Sequence, residues 1–242
     1  MSELSDETIA VLNAFWAAET SCVDGDFDTD GIRIIQRPAM DGSEYAQAFR
    51  RNQRLQITCS ASLVSALDEA TRGQPLEVVF DPGFLQRALG GRADRFIGPA
   101  YLGYLDVIDS AGDDPRTRLL TVDDDGALDD LRGSVSGQDW EYSGLESGQP
   151  IVGHFAGGAL VSAAGYEVWG GQVAHIGVVT RPGARGAGYG RACVGAIARQ
   201  AIGRGLVAQY RTLYANAGAM AIARALGFHD YAATIYIVAT AT

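Results

Sequence analysis

The spacing of apolar residues along the chain changes between a helical period and a strand-like alternation, and these changes outline the predicted elements. From about Asp6 to Glu19 the apolar residues recur at near-helical spacing, which predicts an amphipathic helix. Short β-branched runs and helical patterns follow, while 95–107 mixes turn and strand signals and receives no assignment. The strands predicted in this half are 32–36, 55–59 and 76–80, and the helices are 60–71 and 84–89.

The second half of the chain has a more regular pattern. Three β-branched runs are joined by the tight turns Ala156-Gly157-Gly158 and Gly170-Gly171, which predicts an antiparallel meander. A helix, a strand and another helix precede the last strand, so one crossover within the sheet is predicted to be parallel. The predicted strands are 117–120, 151–155, 159–169, 173–180, 206–212 and 231–239, and the helices are 121–135, 189–204 and 216–226.

A segment of small, acidic and turn-forming residues, from Ser110 to Pro115, separates these two patterns. Such a composition between apolar runs is typical of a domain boundary. We therefore predict an N-terminal α/β region over 1–112, which carries no assignable motif, and a second domain over 113–242.

The charged residues exclude several classes of function. The chain has a formal net charge of −10, and all 19 of its basic residues are arginine. A Walker-type phosphate loop and Schiff-base catalysis both need a lysine, so neither is available. The acidic balance disfavours nucleic acids and membranes as partners, because both attract basic surfaces.

Cysteine usage and the N-terminal sequence indicate a soluble, cytoplasmic protein. Cys22, Cys59 and Cys193 are odd in number and far apart, which is expected of reduced thiols. The first residues contain no basic leader, and no apolar run approaches the ~18 residues of a membrane span. The acidic run 123–125 is interpreted as stabilising a helix start, so no metal site is predicted.

One stretch combines a strand, a glycine-rich bend and a helix. The β-branched run 173–180 leads through a Pro/Gly turn into Arg185–Gly190, with glycines at 186, 188 and 190. Glycines allow a ligand to approach the backbone, and the amides at a helix start favour phosphate, so we predict a pyrophosphate site. A dinucleotide fold is disfavoured because its fingerprint needs an acidic residue about 20 positions later, and 204–209 contains none.

These motifs resemble the GNAT superfamily, the Gcn5-related N-acetyltransferases, over about 116–242. The segment Arg185–Gly190 matches the acyl-CoA loop pattern of that family, which is Arg or Gln, two residues, Gly, one residue and Gly. The resemblance implies an α/β (α+β) fold with a GNAT-like mixed, mostly antiparallel central sheet flanked by helices, to which the N-terminal α/β region is added. The second matching motif consists of Asn216, Ala219, Ile222, Leu226, Gly227 and Phe228.

By resemblance, acetyl-CoA is the co-substrate and no metal takes part. In this family the strand at 173–180 splays from the strand at 206–212, and the acetyl-pantetheine arm lies in the gap. Cofactor contacts are therefore expected from the end of the first strand, from the loop and from the second motif. The expected cofactor residues are Val178, Val179, Thr180, Arg185, Gly186, Ala187, Gly188, Tyr189, Gly190, Arg191 and Asn216.

The resemblance also implies direct transfer, in which an amine attacks the thioester carbonyl and a base removes the amine proton. Glu167 and His175 lie on the two central predicted strands and are the candidate bases, with His154 behind them. A water-mediated route would need none of the three. Because no covalent enzyme intermediate is required, Cys193 is interpreted as a packing residue.

The acid that protonates the leaving thiolate is a departure from the family pattern. Many members carry a tyrosine for this role four residues before the Gly of the Gly-Phe pair, whereas this chain has Ala223. Tyr214, near the end of the splayed strand, and Tyr189, in the loop, are the candidate replacements.

We therefore expect an acetyl-CoA-dependent N-acetyltransferase that acts on a primary amine of a small molecule or peptide. The alternative is a catalytically impaired acyl-CoA-binding regulatory module, which the missing tyrosine at position 223 favours. For the N-terminal region three roles stay open: a degenerate relative of the same fold, a layer that shapes the acceptor cleft, or a homodimer contact.

Overall fold

The computed structural model describes residues 3–20, 29–37, 44–108, 114–145 and 149–239. The chain forms two compact units, each assembled from more than one segment. The domain boundary predicted at 112 falls outside the described residues. Unit 1 consists of Met1–Thr8, Gly103–Arg211 and Asn216–His229, and unit 2 consists of Ile9–Leu102, Thr212–Ala215 and Asp230–Thr242.

Helices and strands are labelled in chain order. The helices are α1 (Asp6–Thr20), α2 (Ala61–Thr71), α3 (Leu76–Val79), α4 (Pro82–Ala88), α5 (Asp125–Gly133), α6 (Gly137–Ser143), α7 (Tyr189–Gly203) and α8 (Ala217–Leu226). The strands are β1 (Gly31–Arg37), β2 (Glu44–Arg51), β3 (Arg54–Ser60), β4 (Ala93–Leu105), β5 (Thr117–Leu119), β6 (Ile151–Ala156), β7 (Ala159–Trp169), β8 (Val173–Thr180), β9 (Val207–Leu213) and β10 (His229–Ala239). Within the described ranges, the helices lack the combination of length and apolar character that a bilayer crossing requires.

The sheet of unit 1 has the strand order β5-β6-β7-β8-β9. Strands β5 to β8 are antiparallel neighbours. The pairs Gly157-Gly158 and Gly170-Gly171 have positive φ values, as tight hairpins require. The step from β8 through α7 to β9 is parallel. The predicted meander and the predicted parallel crossover are both confirmed.

Helices cover both faces of the unit 1 sheet. Helix α6 lies against the face to which Gly177 belongs, since a Cβ atom on Gly177 would stand 1.7 Å from the carbonyl oxygen of Ser143. Helix α7 covers the other face, where Gly190 lies beside Thr180. The core on the α6 side is built around Leu131 of α5. The two faces therefore have different neighbours, which matters for the site.

The sheet of unit 2 has the strand order β1-β3-β2-β10-β4. Strand β1 is parallel to β3, whereas β3 with β2 and β2 with β10 are antiparallel. Its core packs α2, α3 and α4 against β3 and β10. Helix α1 contributes Trp16, whose ring centroid lies 4.8 Å from that of Phe49. The protein thus has the mixed, mostly antiparallel α/β fold that the sequence predicts.

One predicted strand is wrong. The run 76–80 forms α3, in which the amide of Phe80 bonds to the carbonyl of Leu76, one helical turn back. Leu76 and Val79 are buried while Val78 is exposed, and this spacing of three positions fits a helical turn. Burial in the unit 2 core therefore overrides the strand preference of the valines.

The sequence pattern did not predict strand β2. Its neighbouring residues Tyr45 and Ala46 are both buried, as are Ala48 and Phe49. Because consecutive strand residues point to opposite faces, the strand is covered on both sides and shows no alternation of apolar and polar positions. The pattern on which strand prediction depends is therefore absent.

Candidate active site

The glycine loop joins β8 to α7 and leaves the start of that helix open. Gly186 and Gly188 have φ values of 82° and 85°, in the left-handed region that favours glycine. Gly188 is the N-cap of α7, and the first-turn amides receive no side-chain cap. Unpaired amides and the helix dipole favour an anion, so we place the candidate phosphate site here.

Gly190 lets the start of α7 pack tightly. A Cβ atom on Gly190 would lie 3.1 Å from Oγ1 of Thr180 and 3.3 Å from Cδ1 of Ile222, on α8. The side chain of Asn216 caps α8 by accepting a hydrogen bond of 3.1 Å from the amide of Ala219. The second sequence motif thus fixes the start of the helix on which α7 packs.

Strands β8 and β9 separate where the resemblance places the cofactor arm. Their last paired positions are Ile176 and Tyr210, although both strands continue beyond them. The predicted arm contacts Val178, Val179 and Thr180 all lie past that point. Backbone groups of β8 that face β9 in this part have no partner in the ladder between them. We call this unpaired stretch of β8, from Gly177 to Thr180, the gap.

The side chains at the end of β8 are already engaged. Val179 is buried in the core of unit 1. The hydroxyl of Ser162, on β7, donates to the Val179 carbonyl at 2.9 Å and lies 2.8 Å from Oγ1 of Thr180. Contacts between this strand and an acyl arm are therefore expected from the backbone. Ser162 carried no signal in the sequence.

Arg185 is held at the mouth of the loop. Its Nε donates to the Thr180 carbonyl at 3.2 Å, and its guanidinium forms an ion pair of 3.1 Å with Asp139 of α6. Hydrogen bonds from Ser136 and from Arg185 lower the pKa of Asp139. Arg191 is exposed on the first turn of α7, as is Ala187 in the loop. The loop therefore carries positive charge in an acidic protein.

Glu167 and His175 are directly opposite each other on β7 and β8, so both point to the face that α6 covers. With Trp169 and the end of α6, they line a cavity of about 190 Å³. Glu167 is exposed and His175 is half-buried. The structure thus brings together the two candidate bases that the sequence named.

A hydrogen-bond chain fixes the protonation of His175. Its Nδ1 lies 2.6 Å from Oε1 of Gln209, and the Gln209 amide nitrogen donates to the hydroxyl of Tyr104. Oε1 of Gln209 therefore accepts the Nδ1 proton, and Nε2 of the neutral ring is left as an acceptor. The ring also stacks on Trp169 with a centroid separation of 3.9 Å. None of these partners was predicted, because they depend on strand register.

Burial gives His175 a pH signature. It lowers the pKa of His175 to about 4, from 6.5, although the hydrogen bond that His175 donates to Gln209 acts in the opposite direction. At pH values between the two pKa values, His175 therefore binds a proton in the unfolded chain but stays neutral in the folded protein. The contribution of His175 to the free energy of unfolding should be fully present above pH 6.5. It should fall by about 3 kcal/mol as the pH drops to 4.

Chemical denaturation of the wild type and His175→Gln at several pH values tests this expectation. The variant should lose less stability than the wild type over the same pH interval. His154, whose pKa burial also lowers, contributes equally to both proteins. Equal losses in the two proteins would contradict a neutral, buried His175.

His154 lies on the face that α7 covers, away from Glu167 and His175. It is buried, its Nδ1 lies 2.7 Å from Oγ1 of Thr117, and its ring stacks on Tyr189 at 4.5 Å between centroids. This contact positions Tyr189 at the first turn of α7. The structure therefore gives His154 a supporting role beside the loop and separates it from the other candidate bases.

The candidate acids differ in their surroundings. Ala223 is buried in α8 and provides no hydroxyl. Tyr214 belongs to unit 2, where its ring meets that of Tyr101 edge-on and its hydroxyl bonds to Asp230. Burial, followed by the nearby Asp230 charge, raises the pKa of Tyr214 to about 12. Its assignment as the acid stays a prediction.

The two described cysteines are buried, free thiols. Burial raises the pKa of Cys193 to about 12, and its Sγ lies 3.5 Å from the Ser162 carbonyl. A thiol that stays protonated at neutral pH is a poor nucleophile, which favours the packing interpretation of Cys193. Cys22 lies outside the described residues.

The open helix start, the separating parallel strands and the Glu167–His175 pair are the arrangement expected of an acyltransferase from the sequence resemblance. The sequence model of the acetyltransferase (GNAT) family matches residues 114–228. This match covers just under half of the chain and includes both motifs that resemble the family.

Solved structures extend the fold comparison beyond that domain. An acetyltransferase of the GNAT family from Colwellia psychrerythraea has a TM-score of 0.54 and 13% identity, over 99% of this chain and 98% of that chain. A GCN5-related N-acetyltransferase-like protein from Streptococcus suis has a TM-score of 0.48 and 16% identity, over 80% and 83%. A search of curated proteins gave no match. The first similarity, at 13% identity, is a similarity of fold alone.

Proposed function

We propose that the protein transfers the acetyl group of acetyl-CoA directly to a primary amine of a small molecule or peptide. The observation that carries this proposal is the separation of β8 from β9 beside the open start of α7. In the proposed complex the loop amides bind the pyrophosphate and Arg185 adds positive charge. The acetyl-pantetheine arm lies along Val178 to Thr180 and enters the gap.

The two faces of the sheet then take different parts of the reaction. The phosphates lie on the α7 side, and the arm carries the thioester through the gap toward Glu167 and His175 on the α6 side. The amine nitrogen bonds to the carbonyl carbon, the C–S bond breaks, and CoA leaves as a thiolate that takes up a proton. Glu167 accepts the proton of the amine. Nε2 of neutral His175 accepts a hydrogen bond from the amine and so orients the amine.

Glu167→Gln tests the proposed base. The amide keeps the shape of the side chain but cannot accept the proton, so kcat/KM should fall about 100-fold or more. The measurement is the release of CoA thiol from acetyl-CoA with the best acceptor of an amine panel.

Asp130→Asn is the matched control, because it also removes one negative charge from an exposed position of unit 1. It should change kcat/KM by less than a factor of two or so, since charges on the surface are screened by solvent. Equal kcat/KM for wild type and Glu167→Gln would assign proton removal to another group.

A binding module that has lost turnover is the second candidate, and the buried Ala223 in place of a tyrosine favours it. Saturating acetyl-CoA with a broad amine panel separates the two functions. Cleavage of the thioester with any amine would exclude the module. Native mass spectrometry of the purified protein would identify a retained ligand of CoA mass in either case.

A further inference from the structure

Arg211, on β9, is a half-buried arginine for which the described part of the chain supplies no anion. The ion pairs found among the described residues involve other arginines. Burial lowers its pKa, and only the Tyr104 hydroxyl acts in the opposite direction. A guanidinium stays charged in proteins, so removing it from water without a counter-charge is unfavourable. An anion from outside the protein would relieve this cost.

The position of Arg211 relates it to the site. Ile176 and Tyr210 form the last pair of β8 and β9, and Arg211 is the next residue of β9. Because Gln209 pairs with His175, alternation places Arg211 on the same face as His175. Arg211 therefore lies where the gap opens, on the face proposed for the acceptor.

Among the residues that the structure describes, the groups beside Arg211 leave its charge uncompensated. His175 is neutral above pH 4, and Tyr104 has a phenolic hydroxyl. Glu167, the proposed base on this face, sits on β7, two strands from β9 and roughly 10 Å away across the sheet. A small molecule that carries both an amine and a carboxylate can span a distance of this order.

The phosphates of the cofactor are poorly placed for Arg211. They are proposed to bind at the loop that follows Thr180. Gly177 follows Ile176 on β8 as Arg211 follows Tyr210 on β9, and Thr180 lies three residues beyond Gly177, or about 10 Å. Arg211 lies at the other end of the gap, near the position proposed for the thioester. Its anion is therefore expected to belong to the acceptor.

We propose that Arg211 binds a carboxylate of the acceptor, so that the preferred acceptors are amines that also carry a carboxylate. This inference rests on the proposed acetyl transfer and specifies the substrate class of that same site. The acceptor amine is directed to Glu167 and its carboxylate to Arg211, which forms a charge-assisted, bidentate pair with it. Amines without a carboxylate would leave the guanidinium uncompensated.

Paired acceptors test the proposal. Glycine, β-alanine, 4-aminobutyrate and glutamate are each compared with their carboxamides, and CoA thiol release gives kcat/KM. Wild-type protein should prefer the best acid over its amide by about 10- to 100-fold. In Arg211→Gln this ratio should fall to about one, whereas Arg211→Lys should retain part of it.

Arg224→Gln is the matched control, because it removes an exposed arginine of α8 in the same unit and should keep the wild-type ratio. The proposal is overturned if the wild type does not prefer acids or if the preference survives in Arg211→Gln.

Stabilisation by the same acids and amides provides a second readout, measured by thermal unfolding with and without CoA. If no acceptor is turned over, the carboxylate site is supported when the acids stabilise the wild type, the amides do not, and the effect disappears in Arg211→Gln. If the acids do not stabilise the wild type, the carboxylate site is overturned. Failure of the proposed function has a different signature, namely neither thioester cleavage nor stabilisation by acetyl-CoA.

Discussion

Gly188→Val is expected to abolish the rise in melting temperature that acetyl-CoA gives the wild-type protein. Gly188 has a φ of 85°, which a β-branched residue adopts only under strain, and it is the N-cap of α7. Valine would shift the first amides of the helix and place a side chain where phosphates approach. At a ligand concentration of 100 Kd, the stabilisation lost is about 2.7 kcal/mol.

Thermal unfolding with and without acetyl-CoA measures this effect, and each variant is compared with its own ligand-free form. The wild-type shift should be about 5–10 °C for a chain of this length. Gly183→Ala is the matched control in the same loop, because a Cβ atom there would meet no atom within 4 Å. A full shift in Gly188→Val would contradict the placement of the phosphates.

Gly177→Ala is expected to destabilise the protein by about 3 kcal/mol or more, which corresponds to a fall in melting temperature of about 6–12 °C. A Cβ atom on Gly177 would stand 1.7 Å from the Ser143 carbonyl oxygen, so the backbone of α6 or β8 must move. The same movement would distort the cavity that holds Glu167 and His175, and kcat/KM should fall as well.

Gly203→Ala provides the control for Gly177→Ala. Gly203 lies in α7, and a Cβ atom there would meet nothing within 4 Å. Alanine favours a helix over glycine, so this variant should gain up to about 1 kcal/mol of stability. If Gly177→Ala proved as stable as the wild type, α6 would not pack on β8 as described.

Local chemistry explains which elements the sequence predicted. Asn216 caps α8 through its side chain, and Gly227 ends the helix with a φ of 78°, as their residue types indicated. The strand predicted at 76–80 was wrong because burial of Leu76 and Val79, which depends on distant partners, outweighed the local preference of the valines for a strand. Prediction succeeded where local and tertiary requirements agree.

The candidate site shows the same division. The glycine loop was recognisable because Gly186 and Gly188 stand where the backbone needs positive φ, a requirement that residue type alone reveals. Glu167 and His175 were named as separate candidates, and the register of β7 against β8 joined them. Arg211 was not predicted, because an arginine in a strand gives no local sign of its partners.

The chain's residues alone therefore predicted the glycine loop, which resembles an acyl-CoA loop, the meander that precedes it and the exclusion of lysine chemistry. Only folding decided that β8 and β9 separate after Ile176, that Gln209 fixes the tautomer of His175, and that Arg211 lies on the same face as His175. The physical reason is that helix caps and glycine bends are governed by neighbours within a few residues. Strand register, by contrast, joins side chains that are distant in sequence, and it is set by the packing of the whole sheet.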